Sequence, residues 1–416
     1  MKRSVTLIAA GSLLAAFALA QPGKRGYTVT DLGNLGNVPP GQQFFISANG
    51  LIAGATSPDG TAMHATVWYK GQSVDLGKAG VGRPNSAALG INDRGQVVGQ
   101  ADTIIANSED FCAFNANGFK SSTACMPFLW QNGVMRPLPT LGGANGVANL
   151  INNRGQVAGW AQAGGPGAAC PVGLFYPVVW QNGGVRQLPI GAGDNSGLAA
   201  AINDNGQIVG ASGTCSAYIP GPGVYLLEKH AMMWDSDGTP HDLGNLGGSG
   251  GFAGNHACAL NNLGQVVGHA LLTNDYAGPF HAFLWTGAKG MQDLGALAGE
   301  HLSLALGIND RTQIVGSSLS DDFSAFTAVL WENGAITDLN TLVTANPAGL
   351  YLIFAESINS AGEIVGYGAA ADGIHAFVAT PNNGQNLSAA AQSASRPVLT
   401  GPARETVIRR LGIRLP

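Results

Sequence analysis

Histidines recur at one kind of position and are the first side chains that suggest chemistry. His64, His230, His281 and His375 each begin a short apolar stretch of the type His-Ala-Phe-Leu-Trp. A metal site needs its imidazoles to converge within a few ångström, whereas these histidines belong to separate segments that would spread them around the molecule. We therefore interpret them as structural, hydrogen-bonded side chains, and we predict no metal site and no cofactor.

The acidic residues do not form a recognisable catalytic pattern. Glycoside hydrolysis needs two carboxylates that face each other across a substrate. Glu109 and Asp110 are adjacent, so in an extended chain they point to opposite sides, and the same holds for Asp321 and Asp322. The sequence contains no His-Glu-x-x-His motif. We predict no catalytic residue.

Aromatic and polar residues in the variable segments are better suited to binding. Aromatic rings offer a large contact area at a small entropic cost, which suits sugars and peptides. The alternative is that these rings only pack the loops onto the body of the protein. The candidate binding residues are Trp160, Tyr218, Tyr276, His256, Glu300 and His301.

A repeated stretch determines how these residues must be positioned. The segment from Ile91 to Gly99 reads INDRGQVVG, and it has six near-copies elsewhere in the chain. Self-similarity at such a period indicates a repeat architecture. The copies begin at Ile46, Ile151, Ile202, Leu260, Ile308 and Ile358.

Each repeat predicts four short antiparallel strands. In the unit from Ala88 to Gly143, a strand precedes the turn Asp93-Arg94-Gly95 and a Val-rich strand follows it. Met126 to Trp130 predicts a third strand, and Gln131-Asn132-Gly133 carries the Asn-Gly signal of a hairpin into a fourth. Four short strands in about 50 residues describe one blade of a β-propeller. We predict an all-β, seven-bladed propeller.

One fourth strand is missing at the end of the chain and is present at its beginning. Seven third strands are followed by only six fourth strands, and Tyr27 to Gly33 contains the Asp-Leu-Gly sequence typical of a fourth strand. An N-terminal strand that completes the last blade closes the ring and removes its open edges. This arrangement favours a closed propeller over an open β-solenoid, which would need end caps.

The recurrent motifs resemble a known family. His281-Ala282-Phe283 and His375-Ala376-Phe377, together with the IN-x-x-GQVVG and DLG-x-LGG patterns, are similar to the extracellular HAF-repeat family of bacteria. The resemblance covers about residues 27–381. It implies an exported repeat protein, and the family provides no established activity or catalytic residues. The last copy departs from the pattern because Ala379 replaces tryptophan, which predicts a more weakly packed closing blade.

The loops of such a propeller divide between two faces. The turns between strands one and two and between strands three and four are short and regular here. The segments between strands two and three and between blades are long and variable, and they share the other face. Function tends to reside in variable loops on a rigid scaffold, so we place any site on this second face, which we call the long-loop face.

The N-terminus predicts export. Lys2 and Arg3, an apolar run and Ala18-Leu19-Ala20 form a signal peptide over residues 1–20, followed by the propeller over 21–381 and a flexible basic tail over 382–416. We expect a secreted, extracellular or periplasmic protein with no membrane span. Without Lys2 and Arg3 the chain has 18 basic and 25 acidic residues, a formal charge of −7, which argues against nucleic acid as a partner.

Five cysteines follow the signal segment and are disulfide candidates in an exported protein. Cys112 and Cys125 lie in one long loop and are expected to pair. Cys170 and Cys215 occupy corresponding loops of consecutive repeats, where a disulfide would join two blades. Cys258 is expected to be a small buried residue.

These observations favour a non-catalytic binding or interaction module. Its ligand would be an extracellular polysaccharide or protein, held by the long-loop face. Two alternatives stay open at this point: a propeller-fold carbohydrate-active hydrolase or lyase that uses loop carboxylates, and a purely structural surface protein. The sequence specifies neither the ligand nor the oligomeric state.

Overall fold

The chain folds into seven sheets that are arranged as the blades of a β-propeller, which confirms the predicted fold class. The structure, a computed structural model, describes residues 26–35, 44–57, 60–76, 85–107, 112, 114, 123–164, 170, 173–216, 225–249, 254–275, 278–382 and 396–398. The predicted signal segment 1–20 lies outside these residues, as does all of the predicted tail except Asn382 and residues 396–398.

The first strand belongs to the last blade, and the next 24 strands form blades 1 to 6, each with four strands that pair in chain order. The first strand is β1 (Gly26–Asn34). Blades 1 to 3 contain β2 (Phe45–Ile46), β3 (Ile52–Thr56), β4 (His64–Tyr69) and β5 (Gln72–Asp75), then β6 (Ser86–Ile91), β7 (Val97–Ala106), β8 (Thr123–Gln131) and β9 (Val134–Pro137), then β10 (Gly146–Ile151), β11 (Val157–Ala163), β12 (Leu174–Gln181) and β13 (Gly184–Gln187). Blades 4 to 6 contain β14 (Ser196–Ile202), β15 (Ile208–Ser216), β16 (Tyr225–Trp234) and β17 (Pro240–Asp242), then β18 (His256–Leu260), β19 (Val266–Leu271), β20 (Phe280–Thr286) and β21 (Gly290–Asp293), then β22 (Leu302–Ile308), β23 (Ile314–Leu319), β24 (Phe326–Glu332) and β25 (Ala335–Asp338).

Blade 7 closes the ring with strands from both ends of the described chain. After a short 3-10 helix, η1 (Leu339–Leu342), come β26 (Val343–Ala345), β27 (Tyr351–Ile358), β28 (Ile364–Ala370) and β29 (Gly373–Asn382). β1 pairs antiparallel with β29, and β26 adds a fifth, parallel strand outside β1. The N-terminal strand therefore completes the last blade, as the count of strands predicted.

A glycine of the repeat allows a bulge in the inner strand of each of blades 2 to 7. In blade 2 the pairing shifts between Ala88 and Gly90, so that Leu89 is the extra residue. A Cβ atom on Gly99, opposite the bulge, would lie 1.9 Å from the carbonyl oxygen of Ala87. Only glycine tolerates so close an approach of the two backbones. The final glycine of the repeat motif is therefore part of the bulge.

The third strands hold neighbouring blades together through tryptophan. Trp180 and Trp234 are almost fully buried, and each indole Nε1 donates a hydrogen bond to a proline carbonyl of the preceding blade's outer segment, at 2.6 and 2.7 Å. Ala379, which takes this position in blade 7, is fully buried but provides no such donor. The sequence departure thus removes one interblade hydrogen bond from the closing blade.

Candidate functional site

The structure describes four of the six residues proposed from the sequence. Tyr218 and Tyr276 lie outside the described residues. His256, Glu300 and His301 lie on the long-loop face at the starts of inner strands, and Trp160 lies within β11. Each of the described candidates has its own partners, as follows.

Trp160 packs against a disulfide-bonded part of blades 3 and 4. Its ring centroid lies 5.5 Å from that of Phe175, and the ring is only partly buried. Phe175 forms a small apolar cluster with the bonded pair Cys170 and Cys215. Trp160 therefore helps to hold the loops of these two blades.

His256 is held by an acidic neighbour within the long-loop face. Its Nδ1 lies 2.8 Å from Glu228 Oε1, and its ring stacks on His269 at a centroid distance of 5.7 Å. Burial by itself lowers the pKa of His256, but the charge and hydrogen bond of Glu228 outweigh burial, and the pKa is raised overall. Glu228 therefore favours the charged form of a largely buried imidazole.

Glu300 and His301 are adjacent in sequence and have different environments. His301 Nδ1 lies 2.7 Å from Asp321 Oδ2, and both side chains are largely exposed. The Glu300 side chain is only 4% exposed and forms an ion pair with Arg396 from the C-terminal segment. Glu300, His301 and His256 therefore have three different charged partners, Arg396, Asp321 and Glu228.

The four repeat histidines are hydrogen-bonded, as predicted, and their partners belong to the repeat as well. Each contacts the aspartate of the following Asp-Leu-Gly motif, and in blade 7 that aspartate, Asp31, comes from the N-terminal strand. Repeats without this histidine begin the third strand with Met126, Tyr176 or Thr327. The pairs are His64–Asp75 at 2.7 Å, His230–Asp242 at 3.1 Å, His281–Asp293 at 2.9 Å and His375–Asp31 at 2.9 Å.

A ring of asparagines joins the inner strands at the opposite face, at positions whose sequence predicted only turns. In the motif INDRGQ the asparagine side chain bonds to the glutamine and also donates to the backbone carbonyl of the next blade. Asn203, for example, donates to Gln207 Oε1 and to the carbonyl oxygen of Asn261, each at 2.9 Å. Equivalent donors to the next blade are Asn92, Asn152, Asn261, Asn309 and Asn359.

The residue after each asparagine forms a second ring. Asp93, Asn153, Asp204, Asn262 and Asp310 each accept the backbone N–H of the corresponding residue of the preceding blade or, for Asp93, that of Asn49. The amide of Asn153 also bridges the carboxylates of Asp93 and Asp204, at 2.9 and 3.0 Å. These carboxylates therefore link blades together, which was not expected from the sequence.

The two rings surround a central cavity of about 210 Å³. The cavity lies in the half of the central channel next to the short turns, a face to which the sequence analysis had assigned no role. Its inner wall is formed by the bulge residues, because a bulge redirects one side chain of a strand. These residues differ in chemical type from blade to blade, unlike the rest of the repeat. They are Leu89, Asn149, Ala200, Cys258, Leu306 and Glu356.

The chemistry of this cavity is acidic and partly apolar. Its lining contains Asp93, Asp204, Asp310 and Glu356, and among the described residues it contains no lysine, arginine or histidine. Such a lining disfavours anionic ligands. Cys258, expected to be buried, is partly exposed here and is the one cysteine outside the two disulfides.

Within the described part of the chain, no three His, Cys, Asp or Glu side chains are placed to hold a metal ion. The same residues include no helix with the length and apolar character needed to cross a membrane. Both expected disulfides, Cys112–Cys125 and Cys170–Cys215, are present. Two disulfides fit an oxidising environment, either extracellular or periplasmic.

Comparisons with known proteins identify no family for this chain. No protein family model and no curated protein matches the chain. Among solved structures, a chain of a mitotic checkpoint complex matches with a TM-score of 0.46 and 11% identity, over 92% of this chain and 99% of that one. The β-propeller domain of the Trilobed protease from Pyrococcus furiosus matches with a TM-score of 0.47 and 9% identity, over 84% and 97%. A polysaccharide lyase, a PL25 ulvan lyase with a bound saccharide, matches with a TM-score of 0.42 and 10% identity, over 83% and 95%.

Proposed function

We propose that the protein is an exported, non-catalytic binding module that recognises an extracellular polysaccharide or protein through its long-loop face. The proposal includes cleavage of residues 1–20 as a signal peptide and membership of the extracellular HAF-repeat family. The paired histidines and aspartates of the repeat support the family assignment, because they explain why both motifs recur together.

The position of the disulfides is the observation that carries the proposal. Cys112 lies between β7 and β8 and is bonded to Cys125 at the start of β8. Cys170 lies between β11 and β12 and is bonded to Cys215 near the end of β15 in the next blade. Both bonds therefore fix segments of the long-loop face. Binding surfaces gain affinity when their loops are held in place before the ligand arrives.

The other face serves a different purpose in this proposal. Its turns are short, and its asparagine and aspartate side chains are engaged in hydrogen bonds between blades. That face supplies rigidity, and the long-loop face supplies variation.

The test is a binding screen of the purified full chain against immobilised extracellular polysaccharides and purified extracellular proteins. Release of shortened saccharide chains is recorded in parallel. Tyr218→Ala and Tyr276→Ala are compared with Tyr69→Ala, because Tyr69 is a 45% exposed tyrosine on the short-turn face. We expect at least one loop variant to bind about tenfold more weakly, a loss typical of an aromatic contact residue, and Tyr69→Ala to bind as the unchanged protein does.

Two results would overturn the proposal. If bound polysaccharide were shortened, and if this cleavage required the carboxylates of the long-loop face, the protein would be a hydrolase or lyase. If Tyr69→Ala weakened binding as much as the loop variants, the ligand would not be specific to the long-loop face.

A further inference from the structure

A buried carboxylate on the long-loop face already holds a guanidinium group. Glu300 precedes β22, Thr327 lies near the start of β24 and Tyr351 begins β27, so the three residues meet between blades 6 and 7. All three are at least 90% buried. Arg396, which follows the last strand in sequence, donates from Nη2 to Glu300 Oε1. We call Glu300, Thr327 and Tyr351 the guanidinium pocket.

The pocket is built around the carboxylate. Thr327 Oγ1 lies 3.5 Å from Glu300 Oε1 and 3.3 Å from the hydroxyl oxygen of Tyr351. Burying a carboxylate without a compensating cation or hydrogen bonds is costly. The cation at Glu300 is Arg396, whose side chain is 40% exposed and thus reaches inward from the solvent side.

Arg396 donates a hydrogen bond to only one of the two carboxylate oxygens of Glu300. Glu300 Oε2 is buried and makes no hydrogen bond with any residue in the described ranges. A guanidinium presents parallel N–H donors that match both oxygens of a carboxylate at once. The present occupant therefore leaves a buried acceptor open, which a differently oriented arginine would fill.

Arg396 is connected to the propeller by the intervening chain, so its binding to the pocket is intramolecular. Thirteen residues separate Asn382, the end of β29, from Arg396. A linker of this length supplies the arginine at an effective concentration in roughly the millimolar range. An external ligand that binds the pocket more favourably than Arg396 does at this effective concentration would displace Arg396.

We propose that the guanidinium pocket is the site at which the long-loop face binds an arginine side chain of a peptide ligand, and that Arg396 of the tail occupies it in the absence of that ligand. This inference rests on the proposed function and specifies a protein rather than a polysaccharide as the partner, because the recognised group is a guanidinium. The tail acts as a built-in competitor that lowers the apparent affinity.

The experiment measures binding of N-acetyl-arginine amide to the full chain by calorimetry. Arg396→Gln removes the competitor, and Arg404→Gln is the matched control, with the same charge change in the same tail. We expect Arg396→Gln to bind the probe about tenfold more tightly than the unchanged chain, and Arg404→Gln to behave as the unchanged chain does. N-acetyl-citrulline amide, which is uncharged, should not bind, and N-acetyl-lysine amide should bind more weakly than the arginine probe.

A second variant tests the pocket itself. Adding Glu300→Gln to Arg396→Gln should abolish binding of the probe, and adding Thr327→Val should weaken it several-fold with the fold checked by circular dichroism. Retained binding without Glu300, or equal affinity in the presence and absence of Arg396, would refute the inference. Binding of the probe to Arg396→Gln without binding of any extracellular protein or polysaccharide would instead retain the pocket and reject the proposed function.

Discussion

Removing one asparagine of the ring should destabilise the whole propeller. Asn203 is 5% exposed, and its side chain makes four hydrogen bonds. Its Oδ1 accepts from the backbone N–H groups of Asn205 and Gln207, and its Nδ2 donates to Gln207 and to blade 5. Each such bond contributes about 1 kcal/mol net, and buried partners left unsatisfied add to the loss. We expect Asn203→Ala to lower the free energy of unfolding by about 3–5 kcal/mol.

Asn205, two residues after Asn203, provides the control substitution for this prediction. Asn205 is exposed, and its side chain makes one hydrogen bond, to the carbonyl oxygen of Asn262 at 2.8 Å. Asn205→Ala should cost no more than about 1 kcal/mol. Both variants would be unfolded in urea and followed by tryptophan fluorescence and by circular dichroism, whose coincidence tests for a single cooperative transition.

Equal stability of the two variants would refute this reasoning. It would mean that the contact between blades through Asn203 is replaced without cost, for example by water. A loss confined to one fluorescence phase would show that the ring stabilises neighbouring blades and not the whole disc.

Three further predictions concern cysteine and histidine. Cys170→Ser should lower the free energy of unfolding by about 4 kcal/mol and Cys112→Ser by about 3 kcal/mol, from the loop-entropy relation for disulfides. The difference arises because the two bonds span 45 and 13 residues. Denaturant unfolding measures both losses. The native, unreduced protein should react with one equivalent of a thiol reagent, and Cys258→Ser should react with none, since the other cysteines are bonded; a second reactive thiol would contradict the assigned pairs. Glu228 raises the pKa of His256 against the opposing effect of burial, so the pair contributes stability that is complete below the unfolded-state pKa of about 6.5 and is lost as the pH rises through the folded-state pKa. His256→Gln should remove that part of the pH dependence of unfolding, and an unchanged profile would show that the pair does not contribute.

The blade pattern was predictable because it depends on local signals. Strand alternation, Asn-Gly turns and the displaced Asp-Leu-Gly strand are all visible along the chain, and Asn132 and Gly133 adopt the positive φ values of 52° and 80° that such a hairpin requires. The pairing of His64 with Asp75 also has a signal in the sequence. The repeats that begin the third strand with Met126 or Tyr176 also lack the aspartate of the fourth strand.

The site was less predictable because its contacts cross from one blade to another. Asn152 and Asn203 are 51 residues apart, and nothing in either copy of the motif indicates that the two are neighbours. The bulge at Cys258 likewise has no pattern of its own. The requirement for glycine at Gly268, where a Cβ would lie 1.9 Å from the carbonyl oxygen of His256, becomes interpretable only when the partner strand is known.

The closing blade has a consequence for the time course of folding. The same histidine–aspartate contact closes a loop of 11 residues in blade 1, between His64 and Asp75, and one of 344 residues in blade 7, between Asp31 and His375. The longer loop costs roughly 3 kcal/mol more in chain entropy, from the logarithmic dependence on loop length. Blade 7 should therefore form last, and only after the other six have brought the two ends of the chain together. Until that moment the growing disc carries two open strand edges, so the interval before closure is when the protein is most exposed to aggregation.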